Sequence, residues 1–142
     1  MNETALHEQL KLLYAGTEGG VEETVEGFVI DVVRGDELIE IQTSGLGRLR
    51  RKIEVLRERY ALTIVYPIAE RTRLIKVDSA GSLLSNRRSP KRGRLEAVFR
   101  ELTSIADLLP HPSVAVEVVM LHTVEHRVAD GKGSWRRGGV SI

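Results

Sequence analysis

Apolar residues recur along this chain with two periods, and the switches between them divide it into helices and strands. Helical spacing comes first. Leu6, Leu10 and Leu13 fall on one face of a segment from about Glu3 to Ala15, with Ala5 and Tyr14 beside them, Asn2 as the cap and Gly16 at the end. Thr17–Glu23 is polar and contains glycine, so it reads as a loop. Thr24–Arg34 is rich in β-branched residues, turns at Arg34-Gly35-Asp36-Glu37 and returns as Leu38–Thr43, which predicts a hairpin. After Ser44-Gly45-Leu46-Gly47 the helical period resumes to about Tyr60, with Leu49, Ile53, Leu56 and Tyr60 on the buried face. Leu62–Ala69 is apolar enough for a strand buried on both faces, and Arg73–Asp78 is a candidate short strand. Ser79–Gly93 reads as a loop or loose hairpin. The clearest helix is Arg94–Leu109, marked by Leu95, Val98, Phe99, Leu102, Ile105, Ala106 and Leu109 and stopped by Pro110 and Pro112. Val114–Thr123 is the last strand, with a continuation to Val128 left open.

A helix between the hairpin and Leu62–Ala69 implies a crossover and a locally parallel pair of strands. The expected fold class is therefore α/β, a mixed central sheet flanked by helices. Nothing in the pattern divides the chain, so residues 1–129 are expected to form one domain. Residues 130–142, with Gly131, Gly133, Gly138 and Gly139 among basic residues, read as a flexible basic Gly-rich tail. The chain stops without a helix or strand terminator, which leaves open that it is part of a longer protein.

Composition removes several classes of function. The chain has 142 residues and no cysteine, which excludes disulfides and Cys-based zinc sites. Its longest apolar runs are strand-length, so no membrane span is expected, and the acidic N-terminus lacks the shape of a signal peptide. A cytoplasmic location is the expectation. The net charge of +1 conceals a strong asymmetry: residues 1–47 hold ten acids against Lys11 and Arg34, and the remaining nineteen bases face ten acids in residues 48–142. A basic portion of this kind suits a polyanionic partner, although a solvated charged surface gives the same pattern.

The chemistry-bearing residues lie in the hairpin. Asp31 interrupts Phe28-Val29-Ile30-Asp31-Val32-Val33, and Glu40 interrupts Leu38-Ile39-Glu40-Ile41. Burying two anions in apolar strands is costly unless a cation offsets them. The tight turn sets Asp31 across from Glu40, within reach of one ion, and the strand period places Glu40 and Gln42 on the same face. Oxygen donors of this kind suit magnesium or manganese.

An acidic residue in one strand, a hairpin, then Glu-x-Lys, followed by a helix and an apolar strand, is the signature of the PD-(D/E)XK nuclease superfamily. This sequence resembles it in Asp31 followed by Glu40-Ile41-Gln42. The resemblance is to the restriction-endonuclease-like and Holliday-junction-resolvase-like members, and it implies an αβββαβ core. It further implies a Mg2+- or Mn2+-dependent endonuclease hydrolysing phosphodiester bonds in duplex or branched DNA. Asp31, Glu40 and the Ile41 carbonyl would hold the metal, and Glu8 is the candidate acid from the first helix, with Glu3 second. Gln42 stands where the family has lysine, and a neutral amide orients water without supplying charge. A non-catalytic nucleic-acid-binding or assembly module on the same fold is therefore the alternative. Phosphate contacts are expected from Arg48, Arg51, Lys52, Arg87, Arg88, Lys91 and Arg92, and a homodimer would supply two sites for two cuts.

Two other motifs carry less. His122-Thr-Val-Glu125-His126 matches a zinc-protease spacing that needs a helix, whereas this stretch is β-branched and reads as strand. Gly45-Leu46-Gly47-Arg48 opens a helix but lacks the remaining residues of either nucleotide fingerprint.

Overall fold

The computed structural model describes residues 3–129 and 135–141. Among the described residues three α-helices, α1 (Glu3–Ala15), α2 (Arg50–Leu56) and α3 (Glu96–Leu102), with 3-10 turns at Leu46–Leu49 and Thr103–Leu108, cover one sheet of seven strands. The strands are β1 (Gly20–Val25), β2 (Phe28–Arg34), β3 (Glu37–Ile41), β4 (Ala61–Asp78), β5 (Leu83–Arg88), β6 (Val114–Ala129) and β7 (Trp135–Ser141). Their order is β1-β2-β3-β4-β6-β7, with β5 added to β4. The β3–β4 and β4–β6 pairs are parallel and the others antiparallel, so the sheet is mixed and the fold is α/β, as the alternation of periods implies.

Each face of the sheet has its own apolar layer. On one, Leu6, Leu10 and Ala15 of α1 pack on Val32, Ile39, Ile41, Val65, Val119 and Leu121. On the other, Ile53, Leu56, Val98 and Ile105 pack on Ile30, Leu38, Leu62, Ile64, Tyr66 and Ile68. Strands buried on both faces lose their period-two signal, which is why β4 reads as a continuous apolar run.

The structure departs from the sequence reading at several elements. Gly20–Glu23, within the expected loop Thr17–Glu23, joins Thr24 and Val25 in edge strand β1; it is exposed along most of its length, so no burial pattern marks it. It meets β2 through the two-residue turn Glu26-Gly27, both with positive φ (51° and 83°), the conformation that matches strand twist in a tight hairpin. The strand read as Thr24–Arg34 therefore contains a turn. The two segments read within 62–78 are one 18-residue strand, with a register shift between Ala69 and Arg71. Part of the 79–93 loop is β5, and Trp135–Ser141, read as tail, pairs with β6. Asn2, expected to cap α1, and residues 130–134 lie outside the described part. Helix faces also shift: Leu13, Leu95 and Phe99 are exposed, and Lys11 is buried in place of Leu13. No helix among the described residues is long and apolar enough to cross a membrane.

Candidate functional site

The site forms where β2 and β3 part. Their ladder runs through Arg34↔Glu37, Val33↔Leu38 and Val32↔Ile39, and the next pair in register would be Asp31 with Glu40. There the side chains take over from the backbone. The Asp31 N–H donates to Glu40 Oε1 at 3.1 Å, and the Ile41 N–H donates to Asp31 Oδ2 at 2.8 Å. Alternation also breaks at this point, since Ile30 joins the α2/α3 layer and Val32, two residues on, joins the α1 layer. The neighbouring strand is strained opposite the break: Glu22 has φ 53°, and no ladder pair joins it to Asp31.

Cations approach the two carboxylates from opposite sides of the sheet. From α1, His7 Nε2 lies 3.2 Å from Asp31 Oδ2 and 3.0 Å from the Ile41 carbonyl. Both partners are acceptors, so Nε2 carries the proton. From α2, Lys52 Nζ lies 3.2 Å from Glu40 Oε2 and donates to the Val29 carbonyl at 2.9 Å. Beside His7, the buried Lys11 ammonium is held by Glu8 Oε1 at 2.9 Å and Glu22 Oε1 at 2.6 Å. The carboxylates thus meet at a seam rather than side by side on one face.

The two acids differ because their surroundings differ. Burial pushes Glu40 above the usual glutamate range, Asp31 adds to the rise, and Lys52 offsets only part of it. Burial also pushes Asp31 up, but hydrogen bonds from His7 and the Ile41 amide, with the charges of His7 and Lys11, hold it below its ordinary value. The Asp31 hydrogen bond raises His7, against the opposing effect of burial. A raised histidine binds its proton more tightly folded than unfolded, so its contribution to stability is full below about pH 6.5 and is lost as pH climbs through the raised value. With chelator present, the melting temperature should therefore fall as pH rises above about 6.5, and His7→Gln should flatten that fall. An unchanged slope in the variant would separate His7 from the stability of the seam.

The other expected site residues are placed as follows. Glu8 serves Lys11 and is more than half exposed. Gln42 Nε2 turns back to the Ser44 carbonyl at 2.7 Å, which engages its amide in the following turn. The Ile41 carbonyl, expected to hold a metal, lies at the seam and accepts from His7. Lys52, expected at phosphates, directs its charge to Glu40. Arg48 and Arg51 are exposed near α2, and Lys91 and Arg92 are exposed on the loop after β5. That loop closes on β4 through Ser89 N–H to the Thr72 carbonyl and Gly93 N–H to the Ala69 carbonyl. Gly93 is required there, because a Cβ would stand 2.6 Å from the Ala69 oxygen. Arg87 and Arg88, adjacent on a strand, point to opposite faces and cannot serve one surface together.

Sequence reading does not find His7, nor Lys52 in its role beside Glu40. The only local signal for His7 is its i,i+4 spacing to Lys11, which places two basic groups on one side of α1. The oxygen set of Asp31, Glu40 and the Ile41 carbonyl fits a hard cation in donor type. Among the described residues, no three His, Asp or Glu side chains converge as a ready cage, so most of an ion's remaining coordination would fall to water or substrate.

These features define a mixed α/β protein with a charged seam between its second and third strands. The chain belongs to the family described as "Domain of unknown function (DUF8091)", which matches residues 4–142. It is 35% identical over 135 residues to an uncharacterized protein of Treponema pallidum (strain Nichols), covering 94% of this chain and 54% of that protein. The chain thus spans about half the length of that relative. No solved structure matches.

Proposed function

We propose that this chain is a metal-dependent phosphodiesterase of the restriction-endonuclease-like kind, acting on duplex or branched DNA. The observation that carries the reading is the seam itself. Two carboxylates of unlike acidity, a backbone carbonyl and a lysine ammonium gather at the end of β3, in an α1-β1-β2-β3-α2-β4 order that suits the family's core. Magnesium or manganese, when bound, would polarise a phosphoryl oxygen and make a bound water more acidic. Asp31, Glu40 and the Ile41 carbonyl would hold it. Lys52 supplies beside Glu40 the positive charge that Gln42 lacks, so the departure at the third motif position is offset from the following helix. His7 donates to two of the same oxygens and competes with a cation for them. A homodimer would give a duplex two such sites.

The test is incubation of duplex, single-stranded and four-way-junction DNA with Mg2+ or Mn2+, and with EDTA as control. Cleavage of duplex or branched DNA that stops in EDTA is expected, with Gln42→Ala reducing the rate by only about tenfold or less, the effect of one hydrogen bond. Absence of cleavage together with absence of calorimetric metal binding would favour the reading as a binding or assembly module. The pairing of both acids with His7 and Lys52 is the observation on that side.

A further inference from the structure

Beyond the helices, β4 and β6 continue past Ala69 and Leu121 as a paired extension, joined by β5. Its two faces are not equivalent, and the cause is the single extra residue Glu70. Leu62, Ile64, Tyr66 and Ile68 of β4 face α2 and α3, and strict alternation would send Arg71 and Arg73 to the α1 face with Val65. The register shift between Ala69 and Arg71 reverses this. Arg71 comes beside His122, and Arg73 beside Val124 and Arg88. On β6, Val118 and Met120 pack on the α2/α3 layer, so His122 and Val124 follow on that face.

The result is a shallow cleft of about 230 Å³ lined by Arg71, Arg73, Arg88 and His122 with Thr72, Thr123 and Val124, and among the described residues no carboxylate lines it. Arg73 Nη1 donates to Asn86 Oδ1 at 2.6 Å, which fixes one guanidinium on the cleft wall. The ion pairs among the described residues include none to Arg71, Arg73 or Arg88. The opposite face differs: its cleft contains Glu125, buried and 3.4 Å from Arg127, so its positive charge is partly offset.

We propose that the Arg71–Arg73–Arg88–His122 face docks the phosphate backbone of a nucleic-acid duplex, as a second contact for the strand presented to the seam. The occupant rests on the phosphodiesterase reading above. Three guanidiniums with no counter-carboxylate among the described residues fit consecutive phosphates, since each offers a planar fork to phosphate oxygens. The spacing fits as well. Ile41 pairs with Val65, and Arg71 lies six residues further along the same strand, roughly 20 Å at 3.3 Å per residue. Along the axis of a duplex, that length spans about six phosphates of one DNA strand. Glu40, in step with Leu38, lies on the same side of the sheet, where Lys52 of α2 covers it.

The experiment is fluorescence anisotropy of a labelled DNA duplex titrated with the whole chain in EDTA, over a range of salt, beside a Mg2+ cleavage assay. Arg71→Gln/Arg73→Gln/Arg88→Gln should weaken binding by at least about tenfold and reduce the salt slope by about 2 to 3, near 0.9 for each phosphate no longer neutralised. The corresponding triple lysine variant should keep most of the slope, which separates lost charge from lost folding. Wild-type protein that binds no duplex, or a glutamine triple that binds with unchanged affinity and slope, would overturn the proposal. Metal-dependent cleavage with unchanged binding in the triple variant would overturn the docking face and leave the phosphodiesterase reading standing. Salt-sensitive binding that disappears in the triple variant, without cleavage by either protein, would support the face and count against the reading.

Discussion

Glu40→Gln is expected to remove metal-dependent cleavage by at least about a hundredfold while leaving the fold as stable as the parent, or more stable, at pH 7. The two effects part company because Glu40 is buried and its acidity is suppressed. Its pKa is raised above 4.5 by burial first and by Asp31 second. A carboxyl with a raised folded pKa favours folding in its protonated form, so its contribution is present below about pH 4.5 and lost as pH rises through the raised value. At neutral pH the buried charge opposes folding, and a near-isosteric amide removes it. The amide oxygen can still accept the Asp31 N–H, while the amide NH2 takes the place of Oε2 and Lys52, a quarter exposed, keeps the Val29 carbonyl and water as partners. The checks are a gel cleavage assay and a thermal melt on the same preparation. Retained cleavage would take Glu40 out of the chemistry. A melting temperature many degrees lower would make its charge a structural anchor instead.

Lys52→Met should act in the opposite direction, destabilising the protein by about 2 to 3 kcal/mol at pH 7. It leaves the Glu40 carboxylate, with 5% of its side chain exposed, without the cation that hydrogen-bonds to it. Lys52 itself is 25% exposed, so the loss should fall at or below the lower end of what breaking a fully buried pair costs. Two rescues follow from the same cause. Acid protonates Glu40 and removes the unpaired charge, so the deficit should shrink as pH falls. The double variant Lys52→Met/Glu40→Gln should recover most of the lost stability, giving a coupling energy well above the few tenths expected for independent sites. A deficit that is constant with pH and additive in the double variant would mean that Lys52 acts through its aliphatic stem rather than its charge.

The hairpin, the first helix and the parallel crossover were legible because each is written locally. Leu6 and Leu10 repeat at helical spacing, Arg34-Gly35-Asp36-Glu37 is a turn by composition, and Leu62–Ala69 is too apolar for anything but the sheet interior. Asp31 and Glu40 stand out for the same reason, as lone charges within apolar strands. Edge strand β1 was not legible, because a strand exposed along most of its length carries no alternation and is fixed only by its partner. The exposure of Leu13 and Phe99 was equally invisible, since a helical period marks an apolar stripe but not how much of it the sheet covers.

What the sequence determined by itself was the α/β class, the hairpin register and the two carboxylates opposed across it. Only the tertiary structure decided which cations meet them. His7 lies 24 residues before Asp31 and Lys52 lies 12 residues after Glu40, and the packing of α1 and α2 on opposite faces brings each to its acid. It also decided where Arg71 and Arg73 point, because one bulged residue at position 70 reverses the alternation for the rest of β4. Periodicity is a property of neighbours in the chain, whereas counter-charges and bulges are settled by groups that meet only once the sheet has assembled.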